Sequence, residues 1–346
     1  MATASSQAAL SISAIIPVYN GGSTLRRSLE PLLAMRDNGE IAEVIVIDDG
    51  STDASAVIAR GLGVTVMRSG GRLGPGGARN IAARTAVGNV LWFVDADVVV
   101  HSDAARVLAD ALQRTGATAV FGTYDDDPPA TGFLSQYKNL VHCYYHRREQ
   151  GIADTFWAGC GAIRKQAFLD AGGFDGTRYP KPSIEDIELG WRLRQRGLDI
   201  QLVPALQAKH LKVWGLKGLL HTEIFLRAIP WSRLIQAHGT WTDALNIGRG
   251  ERMRALLVVC CLCTIVLAAA GQMQAWVPAV MLGAVAVANG GLFAFFRRRR
   301  GAMFALGAVA FHQFYYLYST GAFAWCWIEH GCSAARHAFK RSADTG

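Results

Sequence analysis

The residues that could do chemistry come in short groups, each placed after an apolar run. Asp95-Ala96-Asp97 closes the β-branched and aromatic run Val90–Val94. In an extended segment, residues two apart point to the same side, and two carboxylates so placed resist joint ionisation. A divalent cation relieves that repulsion. Mg2+ and Mn2+ take oxygen ligands and commonly bridge to a substrate diphosphate. The same pair also reads as two solvated turn aspartates. Asp48-Asp49-Gly50-Ser51-Thr52-Asp53 follows the run Val44–Ile47. Gly50 permits a tight strand exit, and Ser51 or Thr52 can cap the next helix. A spare carboxylate there can accept a base N–H or a ribose hydroxyl.

The segment Gly70–Gly77 holds five glycines in eight positions, and Ala78-Arg79-Asn80 follows. Such a backbone can approach a ligand closely, and the N-terminus of the following helix favours anions. No Gly-Lys-Ser or Gly-Lys-Thr is present, and no G-x-G-x-x-G follows the first apolar run. A P-loop and a dinucleotide site are therefore disfavoured. Further on, Ile184-Glu185-Asp186-Ile187-Glu188 opens a helical pattern. These acids suit a helix N-terminus, and one of them can serve as a general base toward a hydroxyl. Trp157-Ala158-Gly159-Cys160-Gly161 and Gly172-Gly173-Phe174-Asp175 supply small residues and an aromatic for an acceptor wall.

The elements that must position these groups alternate. Strand patterns at Ser13–Val18, Val44–Ile47, Val64–Met67, Val90–Val94 and Thr118–Phe121 are interleaved with helical ones at Ser23–Met35, Ala54–Arg60, Ala78–Ala86 and Asp103–Arg114. This order predicts an α/β fold with a parallel sheet, whose ligands bind beyond the carboxyl ends of the strands. A further helix is predicted over Ile184–Arg196.

The composition then changes. The chain has 346 residues, 51% hydrophobic and 18% charged, with net charge +8. Mean hydropathy is +0.18. A fibrous or disordered chain is excluded. Leu211–Ile235 mixes Trp214, Leu219, Leu220 and Phe225 with Lys212, Lys217, Arg227 and Arg233, as interfacial amphipathic helices do. Ala255–Phe296 then runs 42 residues without a charge, enough for two membrane spans with a turn over Gly271–Pro278. Gly301–Ile328 is a third uncharged stretch. Basic residues at Arg249, Arg252 and Arg254, at Arg297–Arg300 and at Arg336, Lys340 and Arg341 flank these runs. That placement suits an anionic membrane surface better than nucleic acid and puts the preceding domain in the cytoplasm. Seven cysteines, with a single C-x-x-C spacing (Cys260 to Cys263) set inside an apolar run and the rest scattered, point to neither a disulfide framework nor a zinc site and so to a reducing compartment. Met1–Ser11 has no signal-peptide pattern and reads as a frayed tail.

Taken together and in order, Pro17-Val18-Tyr19-Asn20, Asp48-Asp49-Gly50-Ser51, Ala78-Arg79-Asn80, Asp95-Ala96-Asp97, Gly172-Gly173-Phe174-Asp175 and Glu185-Asp186 resemble an inverting family 2 glycosyltransferase. The resemblance covers roughly residues 10–210. It implies a GT-A (Rossmann-like) nucleotide-binding domain over 10–205; the composition adds amphipathic interfacial helices over 206–250 and a C-terminal transmembrane segment of two to three spans over 254–330. The resemblance also implies a nucleotide-sugar donor, UDP-sugars first, with Mg2+ or Mn2+. By the same resemblance Pro17, Tyr19, Asn20 and Asp49 would hold the nucleoside, and Arg79 and Asp95 would sit at the nucleotide. Asp97 and His210 would take the metal. Asp186 would be the catalytic base, with Glu185 supporting it or meeting the acceptor. The acceptor is expected to be a hydroxyl on a lipid or lipid-linked molecule at the inner face of the cell membrane.

Three other readings compete. A polyprenyl-phosphate sugar transferase shares the early motifs and the anchor, but its phosphate acceptor needs no base, and Glu185-Asp186 is then unexplained. A non-catalytic membrane scaffold does not need the metal and base carboxylates retained here. A sugar-1-phosphate nucleotidyltransferase wants a basic glycine-rich signature at the first strand, where Pro17–Gly22 has no lysine. Processive synthases are disfavoured because no Gln-x-x-Arg-Trp follows residue 186; Gly190-Trp191-Arg192-Leu193 does not match it.

Overall fold

The computed structural model describes residues 10–238 and 248–344. Most of the frayed tail expected at Met1–Ser11, part of the segment 206–250, and the side chains of Arg336, Lys340 and Arg341 lie outside the described residues. The chain divides into two compact units, Met1–Val213 and Trp214–Gly346.

The first unit is built on a nine-stranded sheet. All seven residues of β1 (Ile12–Val18) are buried, as a central strand of a covered sheet requires. β1 pairs in parallel with β2 (Glu43–Asp48) on one side and β4 (Val90–Val94) on the other. β3 (Thr65–Arg68) extends this parallel half from β2. Three helices join these strands: α1 (Leu25–Asp37), α2 (Ser55–Gly61) and α3 (Gly74–Thr85). α1 buries Leu25, Leu29, Leu32 and Met35, one apolar stripe at helical spacing.

The far half departs from the expected parallel sheet. β5 (Val98–Val100), α4 (Ala104–Thr115), β6 (Ala119–Tyr124), α5 (Phe133–Arg148) and β7 (Gly151–Ile152) come next. They are followed by β8 (Cys160–Arg164), α6 (Lys165–Asp170), α7 (Glu185–Gln195) and β9 (Ile200–His210). β8 inserts between β4 and β6 and is antiparallel to both. β9 runs parallel to β6 and antiparallel to β5 and β7. The sheet is therefore mixed. Its antiparallel strands come from a stretch where the strand–helix alternation breaks down, and the short run Cys160–Arg164 carries no periodicity of its own.

The second unit is helical. α8 (Leu216–His221) passes through a π-helical turn, Thr222–Ala228, into α9 (Ile229–His238). α10 (Arg249–Ala269) is one helix long and apolar enough to cross a membrane. At about 1.5 Å per residue its 21 residues match a hydrocarbon core of roughly 30 Å. The turn expected over Gly271–Pro278 is tighter: Gly271 has φ +71 and α11 (Trp276–Ala288) starts before Pro278. The segment α12 (Gly290–Asp344) is two helices joined at Gly301, directly after Arg297–Arg300, where φ +83 and ψ +173 are not helical. α11 and residues 290–331 qualify as a span only together, across a 61° bend.

Within this unit the base of α10 is tied inward by polar groups. The Tyr316 hydroxyl donates to Glu251 at 2.7 Å, and Arg254 donates from Nε to the Ala288 carbonyl at 2.8 Å. Asn289, in the break between α11 and α12, is buried and donates to the Val285 carbonyl. These hydrogen bonds of the buried Glu251, Tyr316 and Asn289 remove most of the cost of burying them.

Candidate functional site at the carboxyl edge of the sheet

The exits of β1 and β2 lock onto each other. Asn20, the one non-glycine residue with positive φ among those described (φ +51), donates its N–H to Ser51 Oγ at 3.0 Å. Its side-chain oxygen accepts the Thr52 N–H at 2.8 Å. Asn tolerates this left-handed backbone better than most residues, so the Asn20 expected at the nucleoside is first of all a turn residue. Helix α2 has no Ser51 or Thr52 cap. Asp53 instead accepts the Ser55 N–H at 3.0 Å. Pro17 is buried within β1. Tyr19 is exposed and carries the Arg72 guanidinium 3.9 Å above its ring.

Asp49 does more than offer a free carboxylate. Its two oxygens accept the N–H groups of Leu73 and Gly74 at 2.9 and 2.8 Å. These N–H groups open α3 and have no partner within the helix, so an acid there satisfies orphan donors and complements the helix dipole. The helix begins at Gly74, earlier than the sequence pattern indicated, and the glycine-rich segment forms its first turn. A Cβ at Gly74 would stand 2.5 Å from the Pro180 carbonyl oxygen, and φ there is +77.

Arg79 projects from α3 into the centre of the site and is buried. It forms a hydrogen-bonded ion pair with Asp95 and lies 3.6 Å from Glu185. One guanidinium thus joins the end of β4 to the start of α7. Asn80, beside it, accepts the Phe174 N–H at 2.9 Å and donates to the Phe174 carbonyl at 2.7 Å. Arg192 donates to the Gly173 carbonyl at 2.6 Å and pairs with Glu188 at 2.7 Å. The Gly-Gly-Phe-Asp segment is therefore clamped from both sides. Gly173 is required because a Cβ would meet the Asn80 side chain at 2.4 Å.

Asp95-Ala96-Asp97 is a turn, not the extended pair expected: the Val98 N–H donates to the Asp95 carbonyl at 3.0 Å. Thr24 and Ser28 hold that turn by donating to the Ala96 carbonyl at 2.8 and 3.0 Å. The two carboxylates consequently serve different partners. Asp95 takes Arg79, and Asp97 faces His210 at 3.6 Å. His210 ends β9 opposite Val98 and stacks on Tyr124 with ring centroids 4.3 Å apart.

The electrostatics follow from this division. Burial pushes Asp95 above the ordinary carboxylate range, Arg79 opposes that, and Asp97 and Asp186 add to it. Burial also acts to raise Asp97, but the His210 hydrogen bond and charge, with Lys212, outweigh it and hold the carboxyl low. Glu185 is pushed up to about 7, by burial first and then by Asp186, against Arg79. Asp186 accepts the Ala158 N–H at 3.0 Å and stays half-buried. Asp97, Asp186 and His210 all act on Asp95, so these groups share one site.

Residues 13–172 match the family model described as glycosyl transferase family 2. This segment belongs to glycosyl transferase family 2. The family 2 segment takes in β1 to β8 and the Asp95–Asp97 turn, and ends just before Gly173. Among curated relatives, the chain is 30% identical over 118 residues to the glycosyltransferase GlyG of Streptococcus pneumoniae, covering 33% of this chain and 38% of that one. It is 30% identical over 208 residues to the uncharacterized glycosyltransferase YaiP of Escherichia coli, covering 55% and 49%. The first such relatives are spanned over only 32% to 62% of their length. Of solved structures, the mannosyltransferase PcManGT of Pyrobaculum calidifontis, in complex with GDP-Man and Mn2+, is similar with a TM-score of 0.56. That likeness is 18% identical and covers 91% of this chain and 87% of the other, so what it shows is the GT-A-like fold.

Every residue expected at the site lies at this carboxyl edge or on its supporting turns. The supporting hydrogen bonds were not legible in sequence. Asn80 to Phe174 spans 94 residues and Thr24 to Ala96 spans 72, and local patterns carry no signal for such pairs. Tyr124 was likewise unmarked.

Proposed function

We propose that this protein is a membrane-anchored, metal-dependent inverting glycosyltransferase that moves a sugar from a nucleotide-sugar, UDP-sugars first, to a hydroxyl of a lipid or lipid-linked acceptor. The observation that carries the reading is the division of labour among the clustered acids: Asp95 neutralised by Arg79, Asp97 facing His210, and Asp186 half-buried on a backbone N–H.

A divalent cation fits this edge. Among the described residues no group of three or more His, Cys, Asp or Glu side chains gathers into a closed cage. A two-donor arm of Asp97 and His210 leaves the remaining positions for diphosphate oxygens and water, as Mg2+ and Mn2+ on nucleotides require. The low-lying Asp97 carboxyl is anionic and suited to a cation. Bound there, Mg2+ or Mn2+ would neutralise charge on the departing nucleoside diphosphate.

The chain's own groups account for the rest. The Tyr19 ring, with Arg72 over it, offers a stacking face for the base. Asp49 keeps the glycine-rich turn in place beside it. Asp186 takes the proton of the acceptor hydroxyl, and that oxygen attacks the anomeric carbon opposite the leaving group. The bond to the diphosphate oxygen breaks, its electron pair leaves with the nucleoside diphosphate, and the anomeric centre inverts. Glu185, its proton retained to about pH 7, stands beside the base without adding a second full charge.

The apolar helix Arg249–Ala269 and the exposed Leu256, Leu262, Val266 and Trp276 support an anchor. Full-length protein tests the reading. Asp186→Asn is expected to lower transfer by about 10²–10⁴-fold, the usual worth of a general base, while nucleotide affinity stays within twofold. Full transfer by Asp186→Asn contradicts it.

A further inference from the structure

Tyr124 touches both arms of the site. On one face it lies flat against His210, with centroids 4.3 Å apart and planes 6° from parallel. On another it meets Trp157 edge to face at 4.8 Å and 84°. Trp157 directly precedes Ala158, whose N–H holds the Asp186 carboxylate at 3.0 Å. His142 closes the stack against Tyr124 at 4.3 Å and Trp157 at 4.6 Å.

The backbone is bent to deliver this ring. Between Phe121 and Thr123 the β6–β9 register jumps from Leu202 to Gln207, a bulge that accommodates extra residues in β9. Bulges beside active sites re-aim side chains. The register on the far side places Tyr124 opposite Ala208, two residues before His210. At the bulge, Gly122 lets the Leu206 carbonyl approach so closely that a Cβ would stand 1.9 Å from its oxygen.

We infer that Tyr124 is a positioning residue that fixes His210 toward Asp97 and, through Trp157, fixes the Ala158 N–H toward Asp186. The role belongs to the flat ring, since the stack is made by ring faces and edges. The inference rests on the metal reading given above. Partners that orient a metal-binding histidine typically change metal affinity by about 10–100-fold when removed.

The experiment is Mn2+ titration of the full-length protein in detergent, with UDP present, read by the electron paramagnetic resonance of free Mn2+. Wild type is compared with His210→Ala, Tyr124→Phe, Tyr124→Leu and the doubles with His210→Ala. Tyr124→Phe keeps the ring and is expected within twofold of wild type. Tyr124→Leu is expected to weaken Mn2+ about tenfold, but by less than twofold once His210 is already Ala. If Tyr124→Leu does not fold, Tyr124→Met fills the space without a ring and carries the same expectation. Weakened Mn2+ in His210→Ala with wild-type affinity in the ringless Tyr124 variant overturns this inference alone. Unchanged Mn2+ affinity in His210→Ala overturns the metal reading and this inference with it.

Discussion

Glu185 shows how burial and neighbours set a charge. Its carboxyl is buried, faces Arg79 at 3.6 Å and adjoins Asp186. The net effect raises it from 4.5 to about 7. The folded protein therefore keeps a proton that the unfolded chain has lost by pH 4.5. By linkage, this group's stabilising contribution is complete below pH 4.5 and is lost as pH rises through about 7. Glu185→Gln stays neutral throughout, so its stability should fall less than that of wild type between pH 4.5 and 7. Thermal unfolding of both proteins across that window checks this, and identical pH slopes would contradict it. The acid and its motif were readable in sequence, where Glu185-Asp186 stood out at a helix start. Its partner Arg79 was also singled out, but not as a bridge between two acids, because the bridge is made only when α3, β4 and α7 meet.

At the level of elements, the parallel half of the sheet was legible because β1, β2 and β4 are continuous buried runs separated by helical periods. The antiparallel half was not. β8 follows a loop rather than a helix, and β9, although it follows α7, has its alternation of buried and half-buried residues interrupted at Pro204 and Ala205. Yet the bulge in this half delivers Tyr124 and His210 to the site. It depends on Gly122, where a Cβ would overlap the Leu206 carbonyl oxygen at 1.9 Å. Gly122→Ala is expected to cost at least the ~1–3 kcal/mol typical of overpacking. Gly61→Ala, where nothing stands within 4 Å, should shift stability by less than about 0.5 kcal/mol. Denaturant unfolding separates the two. Equal stabilities would mean that the close β6–β9 approach is not required.

For the whole molecule, the composition shifts near residue 211, and the chain divides into two compact units at Val213 and Trp214. The number of spans was less legible, since a 42-residue uncharged run does not say where its helices bend. Asn289 and Gly301 set the two breaks instead. If this unit anchors the protein, full-length chain should stay with the membrane pellet through an alkaline carbonate wash, and quantitative release would contradict anchoring. Purified full-length protein is given UDP-, GDP- and dTDP-sugars with Mn2+ or Mg2+, with and without membrane lipid extract, and nucleoside diphosphate release is followed. Release is expected from one donor class, dependent on divalent cation, raised by lipid and lost in Asp97→Asn. Release from that donor that persists undiminished in chelator and in Asp97→Asn, or pyrophosphate as the product, would contradict it.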